Sequence, residues 1–295
     1  MRKLILILAV LMFVSPALAE GLNVTVSIAP LKYFVEQIGG GRVHAEIMVP
    51  PGASPATYEP RPRQMVQLEK SALFFAVGVP FERAWLPRMQ SANPDITVIE
   101  TQAGIELRPM AAHHHHGDEE EHHGETEERH DNDGPLDPHI WNAPSLCARM
   151  AGTILAGLVK ADSAGEAEYR ANYDKLITRI HEVDARIRTL LTGLSGSSFM
   201  VYHPSWGYFA RDYGLVQVPV ELEGKEPGPG ELAEVIDLAK KENIRAIFTQ
   251  PQFSGKSAAT VARAISGKVV TADPLAEDWD ENLIGVAARM AEAMR

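Results

Sequence analysis

Residues 163–194 read SAGEAEYRANYDKLITRIHEVDARIRTLLTGL. Tyr169, Tyr173, Leu176, Ile180, Val183, Ile187 and Leu190 recur there every three or four positions, with no Gly or Pro between the first and the last. Such spacing lines the apolar side chains along one stripe of a 3.6-residue helix. At 1.5 Å per residue the helix is expected to run on the order of 45 Å. One helix of that length is a strut between whatever folds on either side, and it restricts hinge closure more than a flexible linker would.

Outward from the strut, the two flanks share a rhythm. Before it, short β-branched or aromatic runs (LNVTVSIA, AEIMVP, ALFFAVG, ITVIE) alternate with helical patterns near 31–38, 62–70 and 81–90. After it come SFMVYH, VQVPVEL, IRAIFTQ and KVVTADP, separated by helical patterns near 206–212, 230–242 and 257–265. Strands alternating with helices imply βαβ units and parallel sheets. The expected fold class is therefore α/β, with two lobes of four parallel strands each. The expected divisions are a leader at 1–19, a first lobe at 20–162, the connecting helix at 163–194 and a second lobe at 195–295.

The leader is read from Arg2 and Lys3, the apolar run Leu4 to Val14, and the small-x-small site Ala17-Leu18-Ala19. These mark a secretory signal peptide cut before Glu20. Eleven apolar residues are too few to span a bilayer, so the mature chain is expected to be soluble and periplasmic. The single cysteine, Cys147, excludes an internal disulfide, and none lies near the cleavage site to carry a lipid. It reads as a small buried helix residue.

Residues 108–138 fit neither period and are expected to form a long polar loop. Seven of the eleven histidines lie in it: His113, His114, His115, His116, His122, His123 and His130. Nine acids against Arg129 across residues 113–133 give the segment −8 of the formal net charge of −11. The remainder, about −3, has no basic footprint for nucleic acid. Such a tract is either an acidic solvated linker or an accessory metal collector, since imidazole-rich segments bind zinc, copper and nickel without a packed core.

Ligands of open α/β sheets bind beyond the carboxyl ends of the strands. Three metal-ligating residues stand at such places, each beside a proline: His139 in DPHIW, His203 after SFMVY and Asp273 after KVVTA. Two imidazoles and a carboxylate suit zinc, and also manganese or iron. His44 and His181 read as surface residues, GKEPGPG as a turn before a helix, and Trp206, Tyr208 and Phe209 as a packed helix face behind His203. Glu59 is the one candidate ligand or general base, although its position in EPRP reads more simply as a turn carboxylate.

The stretches VPPGASPATYEPRPRQM, DPHIWNAP, VYHPSWGYFARDYGL, GKEPGPGELAEVI, IFTQPQFSGKSA and TADPL, with the histidine-rich loop, resemble the zinc and manganese solute-binding proteins of bacterial ABC uptake systems, the ZnuA/TroA-like family. The resemblance spans the mature chain. It implies two Rossmann-like lobes joined by a long helix, a metal bound between them, and no enzymatic activity. The implied partners are a membrane permease with its ATPase, and the chain is expected to be a monomer. His139 and His203 match the family's second and third ligand positions and Asp273 its fourth; a histidine at 203 resembles the zinc members, so Zn²⁺ is expected ahead of Mn²⁺. Two departures stand out: Ala56 occupies the place where the family usually has a histidine, and Gln250 the place where it commonly has a glutamate. Water, His130 from the loop, or a weakened three-ligand site are the alternatives that Ala56 leaves open. A zinc buffer that binds mainly through the loop is the other reading of the whole chain, and a zinc hydrolase dependent on Glu59 a more distant one.

Overall fold

A computed structural model describes residues 21–110, 135–221, 225–253 and 255–295. The expected leader and the seven loop histidines, His113 to His130, lie outside the described residues.

The first lobe is a parallel sheet of β1 (Leu22–Val26), β2 (Val43–Ile47), β3 (Leu73–Ala76) and β4 (Thr97–Glu100), in the order β2-β1-β3-β4. Its connections carry α1 (Ala29–Gly39), α2 (Pro62–Leu68) and α3 (Pro80–Ala92), and α4 (Pro144–Ala161) follows. The strut is α5 (Glu166–Leu190). The second lobe repeats the plan with β5 (Ser198–Val201), α6 (Gly207–Tyr213), β6 (Val216–Pro219), α7 (Pro229–Lys241), β7 (Ala246–Thr249), α8 (Lys256–Ala264) and β8 (Lys268–Thr271), in the order β6-β5-β7-β8. All strand pairs are parallel. The eight strands fall on the eight runs expected from the sequence.

Local chemistry explains the element boundaries. Each residue of β3, Leu73, Phe74, Phe75 and Ala76, is buried, as a strand covered on both faces requires. Prolines open α2, α3, α4 and α7, where the missing N–H has no intrahelical partner to lose. α6 stops at Gly214, whose φ of +68° only glycine adopts freely.

The strut is shorter than its pattern implied. Its 25 residues span about 37 Å at 1.5 Å each, because Ser163–Gly165 form a separate 3₁₀ turn and the chain turns after Leu190. Tyr169, Leu176, Ile180, Val183 and Ile187 of its apolar stripe are buried.

Two helices had no forecast from periodicity, α4 and the C-terminal α9 (Trp279–Met294). The second changes how the lobes are joined. Trp279 packs on Phe34 of α1 with ring centroids 4.9 Å apart, and Arg179 of α5 pairs with Asp280 at 2.8 Å and Glu281 at 2.6 Å. Leu283, Val286 and Met290 enter the same apolar cluster as Val24, Phe75, Ile180 and Phe248. One continuous core thus runs from the first sheet through α4, α5 and α9 to the second, while a smaller cluster around Met200, Val218, Val235, Ile247 and Val261 belongs to the second lobe alone. Among the described residues no helix is long and apolar enough to cross a membrane.

Candidate metal centre

The two sheets turn their carboxyl ends toward a shared cavity. The first lobe supplies Ser54 to Ala56 after β2 and Gly78 to Pro80 with Arg83 after β3; the second supplies His203 and Ser205 after β5, Gln252 and Phe253 after β7, and Pro274 and Leu275 after β8. His139 and Trp141 stand in the same wall. This is where an open α/β sheet offers its loops to a ligand.

His139 and His203 meet in the cavity. Their rings are edge to face, with centroids 5.1 Å apart. Each ring is held from behind by a carboxylate: His139 Nδ1 lies 2.7 Å from Asp137 Oδ1, and His203 Nδ1 lies 2.6 Å from Glu221 Oε1. A carboxylate accepts, so Nδ1 carries the proton and Nε2 keeps its lone pair, the arrangement that prepares imidazole for a metal. Burial, only partly offset by Asp137, holds the His139 pKa below its ordinary value and favours the neutral, ligating form. Trp141 packs against His139 at 5.1 Å and Phe253 against His203 at 5.3 Å, which restricts ring rotation.

The segment bearing His139 is tied to the second lobe. Trp141 Nε1 donates to Pro274 O at 2.7 Å, Asn142 Nδ2 to Ser205 O at 2.9 Å, and Trp279 Nε1 to Trp141 O at 2.6 Å. Tyr208 OH donates to Asp137 O at 2.9 Å and accepts from Arg108 N at 3.1 Å. A Cβ at Gly207 would lie 2.9 Å from Asp137 Oδ2, so the first residue of α6 must be small for the carboxylate to reach His139. Met110 N donates to Pro135 O and Asp137 N to Arg108 O, so the two roots of the histidine-rich segment are paired beside the cavity, whose wall includes Met110, Pro135 and Leu136.

Asp273 is placed differently from the histidines. Its Oδ1 accepts from Gln252 Nε2 at 3.1 Å and from Leu275 N at 2.9 Å, and it stands one residue behind the cavity wall formed by Pro274 and Leu275. Among the described residues no three His, Cys, Asp or Glu side chains are gathered closely enough to hold a metal ion. The structure therefore brings two of the three expected ligands together and holds the third apart from them. Ala56 lines the cavity, as its motif implied, and offers it only a methyl group. Gln250 is buried and clamps the backbone at His203: its Nε2 donates to His203 O at 2.9 Å and to Ser205 Oγ at 3.1 Å. Glu59 is exposed and outside the cavity wall, and His44 and His181 are exposed on β2 and α5. Cys147 is fully buried and donates to Trp141 O at 3.1 Å, with its thiol pKa pushed up by burial.

Asp137 and Glu221 escaped sequence reasoning. The first had a signal, a carboxylate two residues before a histidine; the second ends the strand run VQVPVEL, where its partner 18 residues earlier is set only by the β5–β6 pairing.

Two α/β lobes braced by a helix, with imidazoles meeting between their strand ends, are the arrangement of a solute-binding protein for metal ions. The chain belongs to the ZnuA family: the family model described as the periplasmic zinc-uptake complex component A matches residues 24–295. It is similar to the high-affinity zinc uptake system protein ZnuA of Bacillus subtilis (strain 168), with 26% identity over 253 residues, 84% of this chain and 77% of that protein. A crystal structure of ZnuA superposes with a TM-score of 0.84 at 36% identity, covering 93% of this chain and 100% of that one. A zinc-bound deletion mutant of ZnuA gives 0.83 at 36% identity, covering 93% and 98%.

Proposed function

We propose that this chain captures zinc in the cleft between its lobes and delivers it to a membrane permease driven by an ATPase. The observation that carries the reading is the pair His139 and His203, facing each other at 5.1 Å with each Nδ1 fixed by its own carboxylate. Two oriented Nε2 atoms favour zinc over manganese, which prefers oxygen donors. Asp273 is the third ligand in this proposal. Residues 1–19 act as the export leader, the mature chain works as a periplasmic monomer, and the lobes divide at the 163–194 connection. Binding and release, not turnover, are its chemistry; the exposed position of Glu59 supports this reading.

His113 to His130 serve as an accessory collector, a role supported by the pairing of the segment's roots beside the cavity. A chelator-competition zinc titration of the mature chain, run beside a version lacking residues 113–133, tests the division of labour. Both are expected to bind one zinc tightly. Loss of tight binding with the segment would move the principal site out of the cleft and make the protein a zinc buffer.

A further inference from the structure

The first lobe carries a basic stretch in an acidic chain. Between residues 51 and 93 the exposed cations are Arg61, Arg63, Lys70, Arg83 and Arg88. Against them stand two exposed acids, Glu59 and Glu69, since Glu82 is buried. The chain as a whole has a formal net charge of −11. None of the five cations forms an ion pair among the described residues, and Arg88 lies over the Trp85 ring at 4.7 Å. Phe81 N donates to Pro55 O at 3.0 Å, and Tyr58 packs edge-on against Phe81 at 6.3 Å. The turn leading into α2 therefore rests on the first turn of α3, which gathers Arg61, Arg63 and Arg83 at the junction of the two helices. Like charges gathered in this way repel one another and attract an anion.

The chain brings the opposite charge to the same place. Arg83 shares its cavity wall with Met110, Pro135 and Leu136, at the two roots of the histidine-rich segment. Pro109 and Leu136 pair as an antiparallel bridge, so residues 111–134 leave and return at one point. Half of that length, fully extended, reaches about 40 Å, and α3 is only about 20 Å long. Residues 113–133 hold nine acids against Arg129. A tether makes even a weak attraction intramolecular, at an effective concentration on the order of millimolar.

We infer that the acidic, histidine-rich segment docks by charge on the arginines of α2 and α3 in its own chain, which keeps its imidazoles beside the mouth of the cleft. The docking deepens the collector role proposed above by giving the segment a seat. It needs no metal, so it is tested on metal-free protein, and its failure would leave the collector role to be judged by the zinc titration.

Cys147 is fully buried, so a cysteine introduced as Thr126→Cys takes a nitroxide label selectively. Paramagnetic broadening of backbone amides in the full chain then reads where the segment rests. At about 10 mM salt, where charges act over about 30 Å, the amides of α2 and of the first turn of α3 are expected to lose at least half their intensity; at about 1 M, where the range is about 3 Å, they are expected to recover it. In Arg61→Gln/Arg63→Gln/Arg83→Gln the loss at low salt is expected to fall at least threefold. Arg186→Gln, on the exposed side of α5, is expected to leave it unchanged. Broadening that persists at high salt, or that is centred on another part of the protein, overturns the docking, and the salt series on the parent decides this even if the triple variant fails to fold. Equal broadening in a folded triple variant overturns the assignment of the arginines. Broadening carried from a labelled copy to an unlabelled one makes a second chain the occupant and overturns docking within the chain.

Discussion

His139 and His203 come from opposite sides of the strut, yet their ring centroids are 5.1 Å apart and each Nδ1 rests on a carboxylate of its own neighbourhood, Asp137 and Glu221. The pair is held from both lobes, which share one core. Preorganisation of this kind lowers the ordering cost of binding.

The backing carboxylates are expected to tune affinity without contacting the metal. Glu221→Gln and Asp137→Asn should each weaken zinc binding roughly 10–100-fold, the usual loss when the partner of a ligating histidine is changed. Chelator competition measures this, with thermal melts run alongside to separate lost affinity from lost fold. Affinity within twofold of the parent would mean that packing by Trp141 and Phe253 alone orients the rings.

Gln250 donates to the backbone and side chain beside the cavity, so a glutamate is expected to be a poor substitute here. An ionised Gln250→Glu cannot donate to His203 O or Ser205 Oγ and buries an uncompensated charge. A loss of about 1–3 kcal/mol, in urea unfolding at neutral pH, follows from leaving such groups unmatched. Wild-type stability in this variant would show that the clamp contributes nothing.

Glu82 gives the first lobe a pH dependence. It is 3% exposed in α3 and accepts from Ser27 Oγ, Val77 N and Gly78 N, joining the ends of β1 and β3 under the cavity. Burial raises its pKa from 4.5 to about 7, with a smaller push from Glu100, against the pull of those three donors. The folded pKa lies above the unfolded one, so the native state holds the extra proton. This stability is full below about pH 4.5 and is lost as pH rises through 7, a total of about 3 kcal/mol at 1.36 kcal/mol per unit. Parent minus Glu82→Gln stability, from urea unfolding, should therefore be larger at pH 5 than at pH 8. An equal difference at the two pH values would rule this linkage out.

Trp279 is expected to be the costliest single truncation in the joint between the lobes. It is 2% exposed, packs on Phe34 and donates to Trp141 O, so Trp279→Ala removes a large apolar volume and a buried hydrogen bond together. A loss of about 3–5 kcal/mol is the range for such cavities. Denaturant unfolding checks it, and a loss below 1 kcal/mol would mean that α9 is peripheral.

Much of this protein was legible in its sequence because the governing signals are local. Period-2 and period-3.6 patterns located the eight strands and the strut, and proline and glycine marked helix ends, since each reports the conformation of its own few residues. Strand-end logic pointed to His203, which follows β5, whereas His139 stands after the long loop and not at a strand end. Tertiary structure alone decided the rest. The pairing of His203 with Glu221 depends on sheet register, and the seat of Trp279 on α1 depends on α9 crossing back to the first lobe. Asp273 accepts from Gln252 and Leu275, partners that the sequence does not announce. Contacts between residues distant in the chain are chosen by packing and hydrogen-bond satisfaction over the whole fold, which no local pattern encodes.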